Sequence, residues 1–149
     1  MPQASRTIVV NVAPSELMNV IADYEQYPQF LPEVKKITVA GRTATSAEVT
    51  YEIEVIKRIR YTLRIETEPL GSHWTLVKGD LFKKNEGSWR LEATGDGATR
   101  ATYTLEIAIG GLIPVPKAIT DRLTEHSLPA LLENFKKRAE ALYPRAATA

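Results

Sequence analysis

Few side chains in this sequence are equipped to do chemistry. His126 is the foremost, because it stands on a helical stripe with Val115, Ile119, Leu123 and Ala130. An imidazole there can orient a carbonyl or hydroxyl group and move a proton near neutral pH. It can equally serve as a structural histidine bonded to backbone or water near Pro129. Tyr51, Tyr61 and Tyr103 fall on the apolar side of alternating strands, where each can offer one hydrogen bond to an otherwise apolar partner or act as a core tyrosine with its hydroxyl at the rim. Arg122 is one position off the histidine stripe and reads as a surface arginine before a cavity residue. His73 lies beside a turn and is expected in solvent. The sequence has no Ser/His/Asp set, no paired catalytic carboxylates, no phosphate loop and no zinc spacing. It therefore yields no catalytic residue, no metal ligand and no cofactor.

Composition narrows the classes further. The chain has 149 residues, 44% hydrophobic and 25% charged, with a net charge of +1. That length suits one domain with a sizeable core. A balance so near neutral recruits neither nucleic acid nor an anionic membrane through a strong field. Cysteine is absent and histidine occurs twice, so the fold is indifferent to redox compartment. No apolar run approaches the roughly 18–20 residues that span a bilayer. The opening "MPQASRTIVVNV" lacks the apolar stretch of about 7–15 residues that a secretory leader needs, so a cytoplasmic location is expected.

The elements that must position these groups follow from periodicity. "RTIVVNV" reads as a strand. "APSELMNVIAD" reads as a short helix, with Pro14 in its first turn and Leu17, Val20 and Ile21 at helical spacing. The next stretch places Tyr24, Tyr27 and Phe30 around Pro28 and Pro32, which turn the chain through residues 27–32. From residue 33 to about 109 the period is two. Ala47, Val49, Tyr51, Ile53 and Val55 point one way and Glu48, Thr50, Glu52 and Glu54 the other. After a turn near Lys57, the same alternation sets Ile59, Tyr61, Leu63 and Ile65 against Arg58, Arg60, Arg64 and Glu66. The result is a hairpin with one apolar face and one charged face whose acids and arginines can pair. Three further strands are predicted in "SHWTLVKG", "EGSWRLEA" and "TRATYTLEIAI", the last with Ala101, Tyr103, Leu105, Ile107 and Ile109 on one face. "TGDGAT" marks the turn between the last two. Short connections make the sheet antiparallel. The apolar loop "GGLIPVP" leads into a helical segment from 116 to about 142. Its apolar residues change sides at Pro129 (Leu131, Leu132, Phe135, Ala139 and Leu142 beyond it), which predicts a bend there.

This order, strand, short helical pair, six antiparallel strands and a long C-terminal helix, resembles the helix-grip arrangement. The residues that carry the resemblance are "YEQYPQFLPEVKKITV", "GDLFKKNEGSWRLEATGDGATRATYTLEI" and "LPALLENFKKRAEALY". They are similar to the START-like polyketide cyclase/dehydrase and lipid-transport superfamily (SRPBCC), and most of all to its coenzyme Q-binding and ribosome-toxin-like branch. The resemblance implies an α+β helix-grip (START-like) fold, with a curved antiparallel sheet of about seven strands around the long helix and two short helices after the first strand. It places one ligand-binding domain at residues 1–143 and a flexible tail at 144–149.

The resemblance also implies a cavity between sheet and helix for a lipid, quinone or polycyclic aromatic, with the protein as carrier or sequestering protein. Its implied wall is Tyr27, Phe30 and Leu31 at the opening, or else in a corner of the core, and Tyr51, Ile53, Tyr61, Leu63, Tyr103, Leu105 and Ile107 on the strands. Leu112 and Ile113 would stand at a gate, and Ile119, Leu123 and His126 on the helix. Trp89 is expected to pack on the helix. Lys136, Lys137 and Arg138 read as charges favoured near a helix C-terminus. A polyketide aromatase/cyclase-type enzyme and a protein-interaction module with a collapsed cavity stay open as alternatives. A hydrophobic small molecule is the expected partner and nucleic acid is not, with room for a transient membrane or protein contact. The ligand's identity and the oligomeric state are not legible.

Overall fold

The computed structural model describes residues 3–55, 57–80, 82–109 and 127–144. Seven antiparallel strands form a single sheet: β1 (Gln3–Val10), β2 (Val34–Ala40), β3 (Ser46–Val55), β4 (Lys57–Glu68), β5 (Gly71–Gly79), β6 (Phe82–Ala93) and β7 (Thr99–Ile109), in the spatial order β1-β7-β6-β5-β4-β3-β2. From β2 to β7 each strand pairs with its neighbour in sequence. β1 and β2, adjacent in the chain, instead lie at opposite edges. The connection between them must cross the whole sheet. It does so through α1 (Pro14–Ile21), a 3₁₀ turn (Tyr24–Gln26) and α2 (Tyr27–Phe30). The proline-punctuated aromatic stretch is therefore the bridge across one end of the sheet.

Periodicity decides the two faces. On β3 and β4, Ala47, Val49, Tyr51, Ile53, Ile59, Leu63 and Ile65 are buried, while the other parity carries ion pairs such as Arg58 to Glu52 at 3.6 Å and Arg64 to Glu48 at 4.0 Å. The charged face is thus a solvated surface, as expected. The turn in "TGDGAT" closes with Thr94 N donating to Ala98 O at 3.0 Å. Gly95 (φ 93°) and Gly97 (φ 90°) adopt the left-handed conformation that favours glycine there.

The C-terminal helix α3 (Leu128–Leu142) lays Leu128, Leu132, Phe135 and Ala139 on the sheet, a spacing that keeps one helical face inward. Pro129 occupies its first turn, where proline costs no hydrogen bond. The part of the expected helix before Ser127, and so the two limbs of a bend at Pro129, lies outside the described residues. Ala130, expected on the apolar stripe, is exposed, and so is Leu142 at 51%. Polar contacts fasten the helix to the sheet edge. Lys136 Nζ donates to Val9 O at 2.9 Å, and Asn11 N donates to Glu140 Oε2 at 2.9 Å. β6 is longer than the predicted "EGSWRLEA", because Phe82, Lys84 and Asn85 already pair with β7 across a bulge between Phe82 and Lys84. The expected tail falls outside the described residues beyond Pro144.

Candidate ligand cavity

Between the concave face of the sheet, the aromatic bridge and α3 lies a cavity of about 130 Å³. The bridge contributes Tyr24, Tyr27 and Leu31, while β3 and β4 contribute Tyr51, Ile53, Tyr61, Leu63 and Ile65. From β5 to β7 come Ser72, Trp74, Phe82, Asn85, Trp89, Tyr103, Leu105 and Ile107, and α3 adds Leu128, Leu131 and Phe135. The strand residues converge because the sheet's inward parity is almost wholly aromatic or aliphatic. Burying such side chains is the main source of stability here.

Rings dominate the wall. Ten of the eleven Phe, Tyr and Trp side chains form one connected set. Tyr51 and Tyr61 stack with centroids 5.0 Å apart. Phe135 meets Tyr27, Phe30 and Trp89 edge-on at 5.4, 5.1 and 5.1 Å. Trp89 and Trp74 both meet Tyr103, at 4.9 and 5.3 Å. Edge-to-face pairs at these separations add to burial and fix ring orientation.

The polar atoms on this wall are few, and apart from Glu33 they are neutral. Tyr27 donates its hydroxyl to Ile21 O at 2.5 Å, which ties the bridge to the end of α1. Tyr51, Tyr61 and Tyr103 make no side-chain hydrogen bond to another described residue. Burial pushes all three phenols above their ordinary pKa, with neighbouring tyrosines adding to the effect at Tyr51 and Tyr61. They remain protonated hydrogen-bond donors, not bases. Asn85 is buried at 5% exposure, and its Oδ1 accepts from Trp74 Nε1 at 3.2 Å. The Ser127 hydroxyl is buried without a partner among the described residues. Glu33 and Ser72 also reach the wall. Among the described residues no group of three His, Cys, Asp or Glu gathers to hold a metal ion.

Nine of the residues expected at the site line this cavity: Tyr27, Leu31, Tyr51, Ile53, Tyr61, Leu63, Tyr103, Leu105 and Ile107. Phe30 does not. It sits half-buried behind Tyr27, packed on Phe135 with the Arg138 guanidinium 5.3 Å above its ring. Leu112, Ile113, Ile119, Leu123 and His126, with Arg122, lie outside the described residues. Trp89 packs on the helix through Phe135, as expected, and also lines the cavity. His73 is exposed, 3.7 Å from Glu66. The sequence reading missed Trp74, Phe82 and Asn85. The signal available was a tryptophan and an asparagine on facing strands, but the bulge in β6 disguised the parity.

Comparison with known proteins gives a consistent picture. A family model described as polyketide cyclase / dehydrase and lipid transport matches residues 10–136. A ribosome association toxin, RatA, from Pseudomonas aeruginosa is 26% identical over 129 residues, covering 85% of this chain and 88% of that protein. RatA from Escherichia coli K12 is 28% identical over 110 residues, covering 71% and 68%. Among solved structures, the Zhui aromatase/cyclase from Streptomyces sp. R1128 superposes with a TM-score of 0.86 at 16% identity, covering 99% of this chain and 98% of that one. A START superfamily protein from Mycobacterium smegmatis gives 0.80 at 21% identity, covering 94% and 98%. Likeness at such identities establishes the fold, which is the expected helix grip.

Proposed function

The chain belongs to the polyketide cyclase / dehydrase and lipid transport family, and from that premise we propose that the cavity holds a hydrophobic or amphiphilic small molecule, carried or sequestered by the protein. Family and fold fit a protein that binds a hydrophobic ligand. The observation that carries the finer reading is the character of the wall, a continuous lining of rings and aliphatic side chains with a handful of neutral donors set into it. Apolar contact at roughly 25 cal/mol per Å² drives affinity, less the costs of association, and the few polar atoms set orientation. Phenols held in their protonated form support binding over proton abstraction. Tyr27, Leu31, Tyr51, Ile53, Tyr61, Leu63, Tyr103, Leu105 and Ile107 form the site in this proposal. Leu112, Ile113, Ile119, Leu123 and His126 are assigned to it by sequence resemblance alone, and Phe30 acts by backing Tyr27.

Native mass spectrometry of the protein purified from a bacterial host, with organic extraction of whatever travels with it, tests the reading. A co-purifying lipid or quinone is expected, and Leu63→Trp, which fills the cavity, should abolish it while the fold persists. A bare protein that also ignores a panel of quinones, fatty acids and polycyclic aromatics at tens of micromolar would refute it. The curated relatives favour a second reading, since the Pseudomonas aeruginosa and Escherichia coli K12 proteins, at 26% and 28% identity, are named for association with the ribosome. Co-sedimentation with ribosomal subunits, undiminished in Leu63→Trp, would support a docking domain independent of the cavity.

A further inference from the structure

Trp74, Asn85 and Gly87 form a device that goes beyond a generic apolar wall. Trp74 and Gly87 are direct partners across β5 and β6. A Cβ at Gly87 would lie 2.4 Å from Trp74 Cζ2 and 2.8 Å from Cε2, so only glycine lets the indole lie against the β6 backbone. In that position the indole Nε1 meets Asn85 Oδ1 at 3.2 Å, in a buried hydrogen bond. An indole nitrogen can only donate, so the atom it meets must be the carboxamide oxygen. The Asn85 amide is thereby oriented. Its Nδ2 makes no hydrogen bond to a described residue, and Asn85 lines the cavity. With its oxygen taken by Trp74 and its N–H groups meeting no described residue, the carboxamide on this wall points to a ligand acceptor.

Apart from Glu33, whose carboxylate accepts, the other described polar groups agree in kind. The Tyr51, Tyr61 and Tyr103 hydroxyls and the Ser127 hydroxyl can all donate into the same space. A cavity of about 130 Å³ has room for the ring end of a ligand, since an apolar cavity of ~150 Å³ holds a benzene. Resting on the binding function above, we propose that Asn85 is the specificity-determining residue of the cavity, donating from Nδ2 to a carbonyl oxygen borne on a neutral ring.

Two isosteric probes test this by calorimetry, acetophenone with the carbonyl and isopropylbenzene without it. Both are expected to bind the wild-type protein. Asn85→Leu should weaken acetophenone about threefold to tenfold, the worth of one hydrogen bond, and leave isopropylbenzene within about twofold. Because Asn85→Leu also strands the Trp74 N–H, a second measurement uses the unaltered protein. The Asn85 carboxamide proton resonances should move downfield with acetophenone and stay in place with isopropylbenzene. Equal weakening of both probes, or static amide resonances while acetophenone binds, would overturn the assignment and leave the cavity reading intact. Failure of both probes to bind the wild type would also overturn the assignment, while the cavity reading falls only with the wider panel of quinones, fatty acids and polycyclic aromatics.

Discussion

The two faces of the sheet are made by the same strands and obey different physics. On the concave side, Tyr51 stacks on Tyr61, Trp89 meets Phe135, and few polar atoms are available. On the convex side, Arg64 reaches Glu48, Lys84 reaches Glu106 at 3.1 Å, and threonine hydroxyls pair across strands, as Thr7 does with Thr102 at 3.2 Å. Every other residue belongs to one regime or the other. Concave contacts are desolvated and interdependent, so removing one leaves a void that its neighbours cannot fill. Convex contacts are solvated and local, so water replaces what is lost. The chain therefore concentrates its stability on one side of a surface a single backbone thick.

Substitutions can break that contrast in graded steps. Phe135→Ala removes the ring that joins the helix to Tyr27, Phe30 and Trp89, and should cost about 3–5 kcal/mol in urea unfolding. Gly87→Ala forces Trp74 off the strand and crowds Thr104 O, 2.4 Å from the new Cβ; a loss of about 1–3 kcal/mol in the same assay is expected. Tyr27→Phe deletes the hydroxyl bonded to Ile21 O without changing the ring, and should cost about 0.5–1.5 kcal/mol. Arg64→Ala on the convex face should fall within about 0.5 kcal/mol of wild type. A convex substitution as costly as Phe135→Ala would end the distinction.

Titration sharpens it from another direction. The concave phenols are raised by burial, so the folded state disfavours their ionised form. Their contribution is fully present below the unfolded tyrosine pKa of about 10 and is lost as pH rises beyond it. At the sheet edge the sign reverses. Partial burial alone would raise the Glu140 carboxyl, but the Lys136 ammonium and the Asn11 amide outweigh it and hold it below the usual range. That contribution is present above the unfolded pKa of about 4.3 and is lost as pH falls through the depressed folded value. Denaturant midpoints measured across pH should show an alkaline loss in Glu140→Gln equal to that of wild type, and a shallower acid loss.

The hairpin of β3 and β4 was legible because its alternation is unbroken from Ala47 to Ile65, and the order of elements made the helix grip legible as a whole. Tyr51, Tyr61, Leu63 and Tyr103 followed from the same parity. Asn85 did not. A bulge between Phe82 and Lys84 shifts the phase, so Phe82 and Asn85 both face inward although they are three residues apart. Trp74 was equally hidden, because its role depends on a glycine on the next strand, which no periodicity within β5 reveals. The sequence leaves Phe30 open between the opening and a corner of the core, and it packs on Phe135 outside the cavity lining. Spacing puts it beside Tyr27, and only the position of Phe135 decides which of the two rings is in front.

Both tryptophans of the chain sit in this wall, each against Tyr103. The molecule consequently carries its own optical gauge. Light absorbed near 295 nm excites these two indoles and no other side chain, and a guest molecule in the cavity displaces or quenches them directly. Emission intensity and wavelength then report occupancy of the cavity rather than the state of the surface, with no label attached.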